Sequence, residues 1–172
     1  MTAEPARAEA RSKPATARGG KFLTFFLDVE EYGIEILKVQ EIIGVMAITP
    51  VPRTPDFIRG VVNLRGKIIP IVDIRLKLAM AAMPQTEETC IIVVKARGIE
   101  MGIIVDKVSE VADIASGEIQ DAPSFGENVN TDYILGIGKS EGKVRLLLDI
   151  DRVLSARDIV HLKAASGGAK EE

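Results

Sequence analysis

The sequence predicts an all-β protein built from two similar small barrels or sandwiches. About ten short apolar segments alternate with turn signals, whereas runs with helical spacing are few. The 172-residue chain is 47% hydrophobic but only 4% aromatic and has no Trp. Its core is therefore expected to consist of Val, Ile and Leu, an abundance that favours strands. An internal repeat supports the division into two similar units.

The repeat joins the segments Asp56–Ile74 and Asp132–Ile150, which align without a gap. Seven of the 19 aligned positions are identical, and about half of the others exchange one apolar residue for another. A second echo pairs KVQEI at Lys38–Ile42 with KVSEV at Lys107–Val111. Because a solenoid would need three or more copies, two copies predict two similar lobes.

The repeat also sets the expected boundaries. The domain is expected at 21–155, with a first lobe at about 21–83 and a second at about 88–155. Residues 1–20 are rich in Ala, Pro, Arg and Glu and lack apolar periodicity, which predicts a disordered tail. Residues 156–172 are expected to complete a C-terminal helix and to fray into solvent from Ser166.

The first lobe opens with a predicted hairpin, in which Lys21–Val29 and Tyr32–Ile36 are strands and Glu30-Glu31 is the turn. Leu37–Ile43 is ambiguous, since its apolar residues fit helical spacing but the run is short and β-branched. Three prolines within Ile48–Pro55 predict an ordered loop or a sheet edge.

One helical turn at Pro55–Arg59 is expected to lead into the hairpin that carries the repeat. The strands of this hairpin are Val61–Leu64 and Lys67–Ile74, joined by a tight turn at Arg65-Gly66. The second strand is apolar on both faces, so we expect it to be buried on both. A short helix or loop at Arg75–Met83 ends the lobe.

The second lobe follows a polar linker at Pro84–Thr89. Cys90–Lys95 and Met101–Val105 predict a hairpin about Arg97-Gly98, and Lys107–Val111 repeats the ambiguous motif. The remaining elements are a loop at Asp121–Asp132, the echoed hairpin of Tyr133–Ile137 and Val144–Ile150, and a helix at Asp151–Ala165 with an apolar stripe of Val153, Leu154, Ile159 and Leu162.

Composition limits the partners and the compartment. The net charge is −3, and residues 1–21 hold five Lys/Arg against two Glu, so the rest of the chain is more acidic still. An acidic body argues against nucleic acid, because phosphate binding needs a basic face. The single cysteine excludes an intrachain disulfide, and no apolar run approaches the roughly 20 residues of a membrane span. We expect a cytoplasmic protein without direct membrane insertion.

The residues that carry chemistry form no recognisable reactive cluster. The one histidine, His161, and the one cysteine, Cys90, lie far apart in sequence, so neither a Cys/His nucleophile nor a tetrahedral metal site is indicated. Gly138-Lys139-Ser140 looks like the end of a phosphate loop, but Tyr133 stands where that motif needs glycine. We therefore expect a non-enzyme with no catalytic residue, metal or cofactor.

Two pairs of polar residues are open to more than one interpretation. Asp73 and Asp149 end equivalent apolar strands, where a turn or cap role is favoured over acid–base catalysis. Asn63 and Arg65 flank the tight turn, either as a solvated hairpin tip or as a contact for a partner. The planar fork of Arg65 suits a carboxylate, and Glu41 is either its intramolecular partner or a separate site.

Four segments together resemble the CheW family of bacterial chemotaxis coupling proteins. They are EEYGIEILKVQEI at Glu30–Ile42, TPDFIRGVVNLRGKIIPIVDIR at Thr54–Arg75, GIIVDKVSEV at Gly102–Val111 and DYILGIGKSEGKVRLLLDI in the echoed hairpin. The resemblance extends from about Lys21 to Leu154. It implies two five-stranded SH3-like β-barrels packed on a shared apolar core, with short helices beside them.

The resemblance also implies a function. Members of the family are non-catalytic scaffolds that couple the cytoplasmic tip of chemoreceptors, the methyl-accepting chemotaxis proteins, to the regulatory domain of the histidine kinase CheA. They act in the cytoplasm, associated with membrane-bound receptor arrays. An adaptor of a paralogous chemosensory pathway stays open, as does a small-barrel protein that binds a ligand or nucleic acid.

Residues matching the family's contact positions form two predicted sets. Phe125 is expected to contact the kinase, and Gln120 belongs to the same set although some members have Arg there. The other set would line a groove between the lobes, where a receptor helix hairpin would lie. This receptor-binding set is Val39, Glu41, Gly60, Asn63, Arg65, Gly102 and Val111.

Overall fold

The computed structural model describes residues 19–122 and 132–171, and within these ranges eleven strands form two sheets. The tail expected at 1–20 lies outside the described residues except for its last two. The predicted all-β class, with short helices and a C-terminal helix, is confirmed. The strands are β1 Gly20–Leu27, β2 Glu30–Glu35, β3 Val39–Gly44, β4 Ile58–Leu64, β5 Lys67–Asp73, β6 Cys90–Ala96, β7 Ile99–Val105, β8 Lys107–Ile114, β9 Ile119–Gln120, β10 Ile134–Ser140 and β11 Lys143–Leu148.

The helices are few and mostly short. They are α1 Ile74–Lys77, α2 Ile150–Val153 and α3 Ala156–Glu171, with 3-10 turns at Ile36–Lys38 and Ser116–Glu118. Both α1 and α2 begin directly after a strand of the echoed hairpins, at equivalent positions of the repeat. The fold therefore keeps the duplication in its helices as well as in its strands.

The two sheets divide the chain unequally. One has the order β3-β6-β7-β5-β4 and uses one continuous segment of chain, which we call the first barrel. The other has the order β8-β1-β2-β11-β10-β9 and is called the second barrel. The first barrel is thus inserted between the β1–β2 hairpin and the rest of the second barrel. The chain crosses between barrels at Ile36–Lys38 and at Asp106.

The barrels do not coincide with the lobes expected at 21–83 and 88–155. The first hairpin of each lobe belongs to the other lobe's barrel. Hairpin β1–β2 of the first lobe pairs with β8–β11 of the second, and hairpin β6–β7 of the second lobe pairs with β3–β5 of the first. The exchange is the same on both sides: β11 pairs in parallel with β2, and β5 pairs in parallel with β7. The lobes follow the sequence repeat, whereas the barrels follow the strand pairing.

The two hairpins of the internal repeat, β4–β5 and β10–β11, are called the echoed hairpins, and they adopt the same structure. Both have a register shift next to the shared glycine, between Ile58 and Gly60 and between Ile134 and Gly136. At the far end, Asp73 caps α1 by accepting from the backbone N–H groups of Arg75 and Leu76, and Asp149 caps α2 through the N–H of Asp151. The predicted cap role of the two aspartates is confirmed.

The apolar core has one shared part and two smaller parts. The largest cluster packs Phe25 and Leu148 of the second barrel with Ile92 and Ile103 of the first, all buried. A second cluster, around Ile69 and Ile71, belongs to the first barrel. A third, around Phe22 and Leu147, belongs to the second. The expected shared apolar core is therefore present and contains most of the buried hydrophobic residues described.

Several local predictions were wrong where turn geometry decides the structure. The first hairpin turns at Asp28-Val29, with Asp28 at φ 62°, and not at Glu30-Glu31. The ambiguous stretch Leu37–Ile43 is a 3-10 turn followed by β3, and its echo lies within β8. Pro55–Arg59 is not a helical turn, because β4 already begins at Ile58.

The C-terminal region forms two helices instead of the single one expected at Asp151–Ala165. The break lies at Leu154-Ser155, where Ser155 and Asp158 exchange hydrogen bonds that start α3, with N–O distances of 2.9 and 3.1 Å. The predicted stripe is nonetheless correct, since Val153, Leu154 and Leu162 are buried in the shared core. Helix α3 extends to Glu171.

Candidate functional site

Arg65 sits at the tip of the β4–β5 hairpin, as predicted. Arg65 and Gly66 both have positive φ values, 54° and 89°, the geometry of a type I′ turn that matches the twist of paired strands. The side-chain oxygen of Asn63 accepts from the Gly66 N–H at 2.8 Å and stiffens the turn. The backbone of Arg65 is thus held while 69% of its side chain stays exposed.

Glu41 is the intramolecular partner of Arg65. The two side chains form a hydrogen-bonded ion pair, although β3 and β4 are the opposite edges of their sheet. The edges meet because Thr49 and Val61 exchange backbone hydrogen bonds of 2.8 and 2.9 Å, which closes the first barrel. An ion pair this exposed adds little stability, about 0–1 kcal/mol, so its atoms remain available to a partner.

Gly60 and Gly102 belong to the predicted receptor set, but both are buried. Gly60 has φ 142°, and a Cβ atom there would lie 2.1 Å from the carbonyl oxygen of Thr49. A Cβ on Gly102 would lie 2.6 Å from Ile91 and 2.8 Å from Ile71 inside the first barrel. Their local role is to let the backbone pack closely, without presenting a side chain to a partner.

The valines of the receptor set differ in exposure. Val39 begins β3 and packs partly against the shared core, whereas Val111 in β8 is 51% exposed. Ile42, which the sequence did not single out, is 44% exposed beside Glu41 on β3. Glu41, Arg65 and Ile42 therefore lie on the first barrel, whereas Val111 lies on the second.

The kinase-binding set is described only in part. Gln120 is exposed on the short strand β9, where it pairs with Ile137 of β10. Phe125 lies outside the described residues. Gln120 is thus accessible at the edge of the second barrel.

Sequence analysis missed a buried arginine between the barrels. Arg75 donates to Asp106 at 2.7 and 2.9 Å, to Asp28 at 3.0 Å and to the carbonyl of Ala81 at 2.9 Å, while only 4% of the residue is exposed. The Arg75 hydrogen bond holds the pKa of Asp106 below its usual value. This cluster ties the β1–β2 turn to the crossing at Asp106.

At the other crossing, the central group is a carboxylate, Asp151, instead of a cation such as Arg75. Lys38 donates to Asp151 at 2.6 Å, which raises the pKa of Lys38, and the backbone N–H of Arg97 donates to the same carboxylate at 2.9 Å. Partial burial works against the charge of Asp151, but these donors outweigh it and lower the pKa of Asp151. Both crossings between the barrels are therefore fixed by hydrogen-bonded ion pairs.

Comparison with known proteins identifies the family. Residues 21–158 match the family model described as the CheW-like domain, which spans both barrels. The chain belongs to the CheW-like family. Chemotaxis protein CheW of Klebsiella aerogenes is 43% identical over 141 residues, covering 82% of this chain and 85% of that protein. Chemotaxis protein CheW of Bacillus subtilis is 36% identical over 137 residues, covering 79% and 87%.

A solved CheW structure confirms the fold. The scaffolding protein TtCheW of Thermoanaerobacter tengcongensis superimposes with a TM-score of 0.74 at 32% identity, covering 82% of this chain and 96% of that one. This chain and that CheW protein therefore share their fold. In the part of the chain that the structure describes, no helix is long and apolar enough to cross a bilayer.

Proposed function

We propose that this protein is a non-catalytic adaptor of bacterial chemotaxis that couples chemoreceptors to the histidine kinase CheA. The observation that carries the proposal is the match of both barrels to proteins named chemotaxis protein CheW. The arrangement of polar residues agrees with an adaptor. Asp73 and Asp149 are occupied as helix caps, while Arg65 and Glu41 are displayed at the surface.

The receptor-binding surface is centred on the hairpin tip of the first barrel. Arg65 and Glu41 supply charges that would set the register of a bound helix, and Val39 and Val111 supply apolar area. Asn63 contributes by holding the turn, whereas Gly60 and Gly102 contribute by allowing close packing beneath it. The partner is the helical tip of a methyl-accepting chemotaxis protein.

The kinase-binding surface is assigned to the second barrel. Gln120 at the exposed edge of β9 and Phe125 beyond it would contact the regulatory domain of CheA. A large aromatic side chain is a typical anchor of a protein interface. Having the two surfaces centred on different barrels lets one adaptor bind both partners at once, on the cytoplasmic side of a receptor array.

The proposal is tested by co-sedimentation with chemoreceptor-bearing membranes and CheA from the same organism. The expected result is that the protein pellets with the membranes and raises kinase activity above that of receptors and kinase alone. Matched membranes without receptors control for nonspecific pelleting. Binding to neither partner would assign the protein to a paralogous pathway or to another class, such as a small-barrel ligand-binding protein.

A further inference from the structure

Arg145 is a buried charge where the internal repeat predicts an apolar residue. It lies in β11 with 2% of its surface exposed. Its counterpart in the repeat is Ile69, which lies in the apolar core of the first barrel. The interior of the second barrel therefore contains an arginine at a position that an aliphatic side chain fills in the first.

The guanidinium of Arg145 lies between two carboxylates of unequal exposure. Its Nη2 donates to Oε2 of Glu110 at 2.8 Å, and the Glu110 side chain is 47% exposed. Its Nε lies 3.0 Å from Oε2 of Glu31, which is nearly buried, but these two atoms lack hydrogen-bond alignment. The well-aligned bond thus reaches outward to the exposed glutamate.

Glu110 is also held through its backbone. The hydroxyl of Thr24, which is fully buried, donates to the carbonyl of Glu110 at 3.0 Å and accepts from its N–H at 3.2 Å. The β1–β8 register shifts at this point, between Leu23 and Phe25. Neighbouring side chains of a strand point to opposite faces, so a Glu110 side chain directed at Arg145 inside the barrel leaves Val111 on the outer face, where it is 51% exposed.

The first barrel has the same arrangement with different residues. In the repeat, Glu110 and Val111 correspond to Glu41 and Ile42, and β3 also has a register shift beside Glu41. The exposed fractions of the two apolar side chains are similar, 44% for Ile42 and 51% for Val111. In each barrel, an arginine of the echoed hairpin binds the glutamate that precedes an exposed apolar residue.

We propose that Arg145 is a positioning residue that fixes Glu110 and thereby turns Val111 outward. The second barrel then presents a copy of the Glu41–Ile42 surface, and the two copies together form the docking surface for a receptor helix. Stability does not explain the buried charges, because apolar residues of similar volume are usually as stabilising as a buried ion pair or more so. This inference rests on the proposed function.

The main test removes the buried charges together, as Glu31→Leu/Arg145→Leu, so that no unpaired charge remains inside the barrel. We expect the melting temperature to be kept or raised while the Val111 methyl groups become more mobile in NMR relaxation. The Ile42 methyl group should be unchanged and serves as the internal control. Affinity for a soluble fragment of a chemoreceptor tip should fall about two- to thirtyfold.

Two single variants complete the comparison. Glu110→Ala keeps the buried Arg145–Glu31 pair and removes a half-exposed side chain, so it folds even if the double variant does not, and it should also loosen Val111. Lys143→Ala removes an exposed cation 3.7 Å from Glu110 and should leave Val111 unchanged.

Unchanged Val111 methyl relaxation in Glu110→Ala or in the folded double variant would overturn the positioning role. So would receptor affinity within twofold of wild type in the folded double variant. If the wild-type protein itself fails to bind the receptor fragment, the proposed function fails. The methyl relaxation still decides separately whether Arg145 positions Val111.

Discussion

Arg65 combines an exposed side chain with a backbone that the hairpin turn holds in place. We expect Arg65→Ala to change the free energy of unfolding by less than about 1 kcal/mol, because its ion pair with Glu41 is exposed to solvent. Affinity for a chemoreceptor tip fragment should fall about fivefold or more, as is common for a central interface arginine. Urea denaturation and binding titrations measure the two effects.

The matched control for Arg65 is Arg53→Ala. Arg53 is also exposed and also has a positive φ, 65°, but it belongs to neither predicted binding set. Its replacement should leave receptor affinity unchanged. Equal affinity losses in the two variants would mean that general surface charge, and not a specific contact, carries the effect of Arg65.

A substitution of Gly60 tests whether this predicted contact residue is needed for close backbone packing. Gly60→Ala should lower the free energy of unfolding by about 3 kcal/mol or more, because the new Cβ would collide with Thr49 at an already strained φ. Gly66→Ala is the control: its φ is also positive, but no atom lies within 4 Å of the added Cβ, so about 1–2 kcal/mol is expected. Equal costs in urea denaturation would contradict this role.

Some residues of the site could be predicted from sequence and others could not. The exposed positions of Arg65 and Asn63 were predicted correctly because a tight turn between two apolar strands exposes its flanking residues. Arg75 and Arg145 were missed because their charged partners are distant in sequence. The partners of Arg75 lie 31 and 47 residues away. Arg145 binds Glu110, 35 residues away, and lies close to Glu31, which is further still. The one available signal was an arginine inside the apolar run of β11.

At the level of elements, the internal repeat predicted the hairpins and helix caps that nearby residues specify. Both echoed hairpins and their aspartate caps were predicted correctly, since turn residues and apolar strands specify them over a short range. The first turn was misplaced because Asp28 adopts a positive φ that Asp tolerates and that the adjacent glutamates did not signal. The exchange of hairpins between barrels was not predictable, because parallel pairing of β5 with β7 and of β11 with β2 is non-local.

The crossing at Asp106 gives stability a pH dependence. Because Arg75 lowers the folded-state pKa of Asp106, this carboxylate stabilises the fold fully above its usual pKa of 3.8. The contribution is lost as the pH falls through the lower folded pKa. Asp106→Asn should therefore be less stable than wild type at pH 7, with a gap that closes in acid.

Urea denaturation of wild type and Asp106→Asn from about pH 7 downward measures this gap. Asp113→Asn is the control, since the ion pair of Asp113 with Lys21 leaves most of both side chains exposed. That variant should match wild type within about 0.5 kcal/mol at each pH. A gap for Asp106→Asn that does not depend on pH would exclude the charge of Asp106, paired with Arg75, as its cause.

At the level of the whole molecule, the shared core should make the two barrels unfold together. The first barrel is inserted in the second, and residues of both line the largest apolar cluster, so neither barrel can open without exposing that cluster. We expect one calorimetric transition, with Ile69→Ala and Leu147→Ala each lowering the same transition by about 2–5 kcal/mol. Each variant empties the separate core of one barrel only.

Hydrogen exchange shows whether that coupling is real. In Ile69→Ala, the amides of β1 and β11 in the second barrel should lose as much protection as those of β6 in the first, because global unfolding exposes all of them. Leu147→Ala should give the reciprocal result. If Ile69→Ala weakened β6 alone and left β1 and β11 protected, the barrels would be independent units. The two proposed binding surfaces would then lie at a variable angle to each other instead of a fixed one.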